Sequence, residues 1–108
     1  MTSNIVFLIE NNSIFIGNDP TASTSTAEKN IAIGTTALDS ITQGDYNIAI
    51  GYDTLTTNTT GHSNIAIGLN ALKINLSGYY NIAIGSQSLL NATDKGFNIA
   101  MGHESLNN

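Results

Sequence analysis

Asn30-Ile31-Ala32-Ile33-Gly34 recurs letter for letter at 47–51, 64–68 and 81–85, and once more as Asn98-Ile99-Ala100-Met101-Gly102. The interval is 17 residues each time, with no insertion or deletion. One period earlier, Ser13-Ile14-Phe15-Ile16-Gly17 falls in the same frame, so residues 13–108 read as six coils, the sixth incomplete. Fixed-period self-similarity outranks local propensity as evidence for a fold. Columns are numbered 1 to 17 from the opening Asn.

Each column implies a physical role. Columns 2 and 4 are Ile in every copy except at Met101, and they flank alanine at column 3. Alternation with period two is a strand, with the Ile pair on one face and Ala on the other. Column 5 is always glycine (Gly17, Gly34, Gly51, Gly68, Gly85, Gly102), which marks a corner with positive φ or a close backbone neighbour. Column 9 supplies Leu38, Leu55, Leu72, Leu89 and Leu106, with Thr21 in the first coil. We read it as a second short strand carrying a third core residue. A second glycine corner follows at Gly44, Gly61 and Gly78, displaced to Gly96 in the fifth coil. The opening amides Asn30, Asn47, Asn64, Asn81 and Asn98 stack as a ladder along the coils or tie the corner backbone.

The chain is all-β on this reading: a parallel β-solenoid of about six 17-residue coils. A 17-residue unit is too short for a propeller blade and lacks the helix of leucine-rich or ankyrin repeats. The expected core is Ile31, Ile33 and Leu38, then Ile48, Ile50 and Leu55. It continues through Ile65, Ile67 and Leu72, Ile82, Ile84 and Leu89, and ends at Ile99, Met101 and Leu106. Three aliphatics per coil recover little of the entropy of ordering 17 backbones, so further burial against other chains is expected. The leading face for that contact is Ala32, Ala49, Ala66, Ala83 and Ala100. Residues 1–12, with the apolar run at 5–9, are set apart as an N-terminal strand, cap or assembly segment. An uncapped β edge also invites end-to-end stacking into filaments.

Composition agrees with strands. The 108 residues include 15 Asn, 13 Thr, 15 Ile and 10 Gly but one Pro, a mixture unsuited to helix interiors. With no cysteine, disulfides and thiolate metal sites are excluded. Three Lys, no Arg and a net charge of −5 argue against nucleic-acid binding. No segment approaches the roughly 20 apolar residues of a membrane span, and no secretory signal is visible.

The pattern N-I-A-I-G-x-x-A-L, with Asn-Thr-Thr-Gly at 58–61, resembles the repeats of bacteriophage tail-fibre proteins. More distantly it is similar to the NSVAIG-type repeats in the heads of trimeric autotransporter adhesins. The likeness spans residues 13–108. It implies a left-handed β-roll, a homotrimer, and motif isoleucines such as Ile31 and Ile33 facing each protomer's own core. It also implies a virion or extracellular surface fibre, although the adhesin repeat is shorter than 17 residues.

Chemistry is sparse. His62 and His103 have neither metal-ligand nor triad spacing and read as solvated corner residues. Asp19, Asp53 and Glu104 share column 7 with Thr36, Asn70 and Gln87, a weak candidate for an oxygen-ligated cation and a better one for a polar outer face. No catalytic residue, metal site or cofactor is expected. Sequons begin at Asn11, Asn58, Asn75 and Asn91 and are read as incidental to the Asn- and Thr-rich composition. Tyr46, Tyr80 and Phe97 share column 17, with Tyr79 beside them. These rings either pack on one another or contact a host-surface glycan. The functional expectation is a non-enzymatic fibre building block. Alternatives are a self-assembling filament subunit, with coils continuing across chain ends, and an ice-binding solenoid. The last is disfavoured because no threonine column is sustained.

Overall fold

The computed structural model describes residues 7–17, 20 and 26–106. Thr21 and Asp19, and the N-terminal segment before Phe7, lie outside the described residues. Seven strands follow the chain in order: β1 (Phe7–Glu10), β2 (Ser13–Ile16), β3 (Ile31–Ile33), β4 (Ile48–Ile50), β5 (Ile65–Ile67), β6 (Ile82–Ile84) and β7 (Ile99–Met101). They form one sheet in that order. β1 pairs antiparallel with β2 through a tight turn, with Asn11 and Asn12 at φ 49° and 59°, the conformation that asparagine tolerates best after glycine. From β2 onward every pairing is parallel and offset by one 17-residue period, so Ile31 faces Ile48, Ala32 faces Ala49 and Ile33 faces Ile50. The same register runs to β7. The result is a β-solenoid of six parallel rungs joined by five turns of chain, without a helix among the described residues.

The ladder continues past the strand ends: Ile31 N–H donates to Asn47 O and Gly51 N–H to Ile33 O, both at 2.8 Å. Both strand flanks are therefore tied to neighbouring coils.

Two expectations are corrected. Column 9 is not a strand. Leu38, Leu55, Leu72 and Leu89 have φ of 48–53°, in the left-handed region, and lie in a run of turns. Ala37 N–H donates to Gly34 O, Asp39 N–H to Thr36 O, and Ile41 N–H to Leu38 O, three overlapping i→i+3 turns. Thr36 and Leu38 occupy the third positions of the first two, where a type II turn needs positive φ.

The second correction concerns which face is inside. Ala32, Ala49, Ala66 and Ala83 are fully buried and Ala100 nearly so, as core rather than chain-contact face. The isoleucines point outward. Ile31 and Ile33 keep 38% and 37% of their surface exposed, and Ile99 and Met101 66% each. Ile48, Ile50, Ile65, Ile67, Ile82 and Ile84 are only partly covered, by neighbours in their own rows. Leu106, on the open side of the last described coil, is also exposed. The reason is width. The opening Asn shares its strand parity with Ala, and Asn30, Asn47, Asn64 and Asn81 are buried. With Leu38, Leu55, Leu72 and Leu89 reaching in from the far side, a methyl group is what fits opposite them. A row of isoleucines there would overpack the interior. Phe15, which stands in column 3 of the first coil, is buried like the alanines.

Candidate functional site

The interior is structural. Asn30 Oδ1 accepts from Asn47 N–H at 2.8 Å, Asn47 Oδ1 from Asn64 N–H at 3.0 Å, and Asn64 Oδ1 from Asn81 N–H at 3.0 Å. Asn81 Oδ1 accepts from Asn98 N–H at 3.1 Å. The Nδ2 groups of Asn30, Asn47 and Asn64 donate across the coil to Gly44 O, Gly61 O and Gly78 O at 2.8–2.9 Å. Each amide thus joins two coils and closes its own corner. Ser13 opens the ladder, its hydroxyl accepting from Asn30 N–H at 2.9 Å. A second interior amide pair, which the sequence reading missed, is Asn58 and Asn75 in column 12. Asn75 Nδ2 donates to Asn58 Oδ1 at 2.9 Å. The asparagine side chains of both sequons at these residues are buried.

The glycine columns differ. At Gly34, Gly51, Gly68 and Gly85 φ is 125–131°, and a Cβ on Gly34 would lie 2.7 Å from Gly51 O. Backbones of successive coils meet there, and no side chain fits. Gly44, Gly61 and Gly78 also lie against the next coil's backbone, at Gly61 O, Gly78 O and Lys95 O, and a Cβ on Gly61 or Gly78 would in addition run into Asn58 Oδ1 or Asn75 Oδ1.

Outside, two of the column-7 residues, Thr36 and Asp53, meet side chain to side chain. The Thr36 hydroxyl donates to the Asp53 carboxylate, and Lys73 Nζ approaches Asp53 Oδ2 at 3.5 Å. Glu104 lies instead beside His103, 3.4 Å away. No group of three His, Cys, Asp or Glu able to hold a metal occurs among the described residues. A cavity of about 150 Å³ opens at the last coil, lined by Leu89, Asn91, Ala92, Lys95, Asn98 and Leu106. None of these six is a nucleophile beside a base.

The aromatic residues do come together. His62 stacks on Tyr79 at 5.5 Å between centroids, and Tyr80 stacks on Phe97 at 5.4 Å. The two piles meet edge to face, Tyr79 against Tyr80 at 6.1 Å and against Phe97 at 5.4 Å. His62, a solvated corner residue on the sequence reading, belongs to this cluster. Tyr46 stands apart with Lys29 Nζ over its ring. The adjacent Glu28 carboxylate, hydrogen-bonded to that ammonium at 2.7 Å, raises the Lys29 pKa above the ordinary lysine value.

The class defined by this geometry is the parallel β-solenoid with an amide-laddered interior. No family model, curated protein or solved structure matches the chain.

Proposed function

We propose that the chain is a non-enzymatic fibre building block, a stiff β-solenoid module that assembles with copies of itself, as in a viral tail fibre or a surface adhesin. The observation that supports this is the outward double row of columns 2 and 4. Eleven of its twelve side chains are Ile and the twelfth is Met101, and none is charged. Monomers rarely leave an unbroken apolar strip of several hundred Å² in water. A strip of that order approaches the roughly 800 Å² that each partner contributes to a standard interface. A second copy is the occupant that fits. Its rows repeat at the same rung spacing, and an uncharged strip lets two molecules of net charge −5 meet without opposing like charges. Contact through this face places the aliphatic rows between chains, where the sequence reading had placed the alanines.

The test is the double substitution Ile65→Lys with Ile67→Lys, placed mid-face where it leaves the Ala–Leu interior intact. Sedimentation should show the wild-type chain as a discrete oligomer and the variant as a monomer with unchanged far-ultraviolet dichroism. A wild-type monomer at hundreds of micromolar would refute the reading. Long threads in negative stain that persist in the variant would support end-to-end stacking instead.

A further inference from the structure

Column 17 carries Lys29, Tyr46, Ser63, Tyr80 and Phe97, so a serine interrupts a run of rings. Lys29 Nζ lies over one face of Tyr46, 5.3 Å from the centroid. That nitrogen comes from the preceding coil, so the other face of Tyr46 turns toward the coil of Ser63. Tyr80 is covered on its far side by Phe97 of the following coil, with planes 17° apart. Its other side turns toward the coil of Ser63, where the His62 ring meets it at right angles. Tyr46 and Tyr80 stand two rungs apart, about 9.5 Å of rise, and column 17 places only a hydroxymethyl group between them. A ring seated midway would lie about 4.8 Å from each wall, within the range of stacked rings. His62 borders this notch, perpendicular to Tyr80 at 5.5 Å and with Nδ1 3.3 Å from Ser63 Oγ. Tyr46 and Tyr80 are 57% and 53% exposed, so the notch opens to solvent.

The geometry points to this notch as a binding site for one neutral hexopyranose unit of a glycan. The sugar's C–H faces pack on Tyr46 and Tyr80. Its hydroxyls exchange hydrogen bonds with Ser63 Oγ and the His62 imidazole at the rim. A neutral sugar fits better than an acidic one because the chain carries net charge −5 and the nearest ammonium, Lys29, is engaged by Glu28. Tyr79 and Phe97, the other rings of the cluster, act by holding His62 and Tyr80 in place. The site is complete in one chain and does not depend on the proposed assembly.

The experiment is an amide NMR titration of the full chain with lactose, maltotriose and chitotriose, each to about 50 mM, enough to saturate a site of millimolar affinity. Saturable shifts at Tyr46, Ser63 and Tyr80 are expected with at least one sugar. Ser63→Tyr fills the notch with a residue that this left-handed column already accepts at Tyr46 and Tyr80, and it should weaken binding at least about tenfold. Tyr46→Ser removes one wall without filling the notch and should do the same, so the outcome does not rest on one variant folding. Shifts with none of the three sugars overturn the proposal, as does binding that both variants leave unchanged. Shifts at these residues that follow protein concentration without sugar would show a second copy in the notch, and would overturn it too.

Discussion

Asn75 Oδ1 is buried without a hydrogen-bond partner, and its neighbours explain why. In the third and fourth coils an Asn at column 12 accompanies a Gly at column 15, because the Asn58 and Asn75 oxygens occupy the space a Cβ would need. The Asn-Thr-Thr-Gly at 58–61 and Asn-Leu-Ser-Gly at 75–78 are thus packing units. The fifth coil breaks both halves together: Lys95 brings a Cβ to column 15, and column 12 falls to Ala92. Asn75 Nδ2 still donates upward to Asn58, but the alanine beneath offers Asn75 Oδ1 nothing. A buried acceptor left unmatched costs about 1–3 kcal/mol. Restoring the unit with Ala92→Asn plus Lys95→Gly is therefore expected to stabilise the chain by about 1 kcal/mol in urea denaturation. Ala92→Asn alone should be neutral or destabilising, because the Lys95 Cβ remains. The coupling belongs to a double-mutant cycle, and additive single effects would contradict it.

At the scale of the element, the stability cost of truncation tells inside from outside. Leu72 is fully buried and Ile65 is not, although both are invariant-looking aliphatics of the same repeat. Leu72→Ala should cost about 2–5 kcal/mol, the range for a cavity in a packed core. Ile65→Ala, measured on an Ile67→Lys background to weaken the proposed contact between copies, should cost about 1 kcal/mol or less, as for a partly exposed strand position. Equal losses would restore the isoleucine-lined interior. This difference also marks how far the sequence could be read. The period, the strand at columns 2–4, its parallel register and the column-5 glycines were all legible from the repeat. Period-two alternation separates two faces without saying which is buried, and hydrophobicity favours Ile over Ala for the inside. The deciding signal was parity. Asn30 and its counterparts share a face with Ala, and amides that hydrogen-bond coil to coil are inside. The turns at column 9 were illegible for another reason: leucine at φ near 50° goes against its own preference and is held there by the coil's closure. In the aromatic cluster, shared columns were visible but not which ring faces remain open, because that depends on the positions of Lys29 and Phe97 above and below.

For the whole molecule, the physical unit is the 17-residue coil, and each coil meets only its neighbours. Three repeating contacts cross one period each: strand register, the amide ladder's Oδ1 bonds and backbone approach at the column-5 glycines. Removing residues 64–80 joins Ser63 to Asn81 in frame, so that column 17 still leads into column 1. Asn81 can then take the place of Asn64 beneath Asn47, and β6 can take the place of β5 beneath β4. The shortened chain is expected to keep its β-type dichroism and to melt cooperatively, at a lower temperature because one coil–coil interface is gone. Removing one residue more, 64–81, joins Ser63 directly to Ile82. It deletes the ladder amide and forces Ser63 to serve both the left-handed corner and column 1. Asn98 then loses the oxygen that receives its N–H, and the corner backbone loses the side chain that ties it. Two deletions that differ by a single residue should therefore part sharply in thermal melting, the longer one losing several kcal/mol beyond the shorter through unmatched buried groups. Melting curves that coincide would mean that the coils do not depend on the strict period, and the amide ladder would lose its place as the element that sets the register.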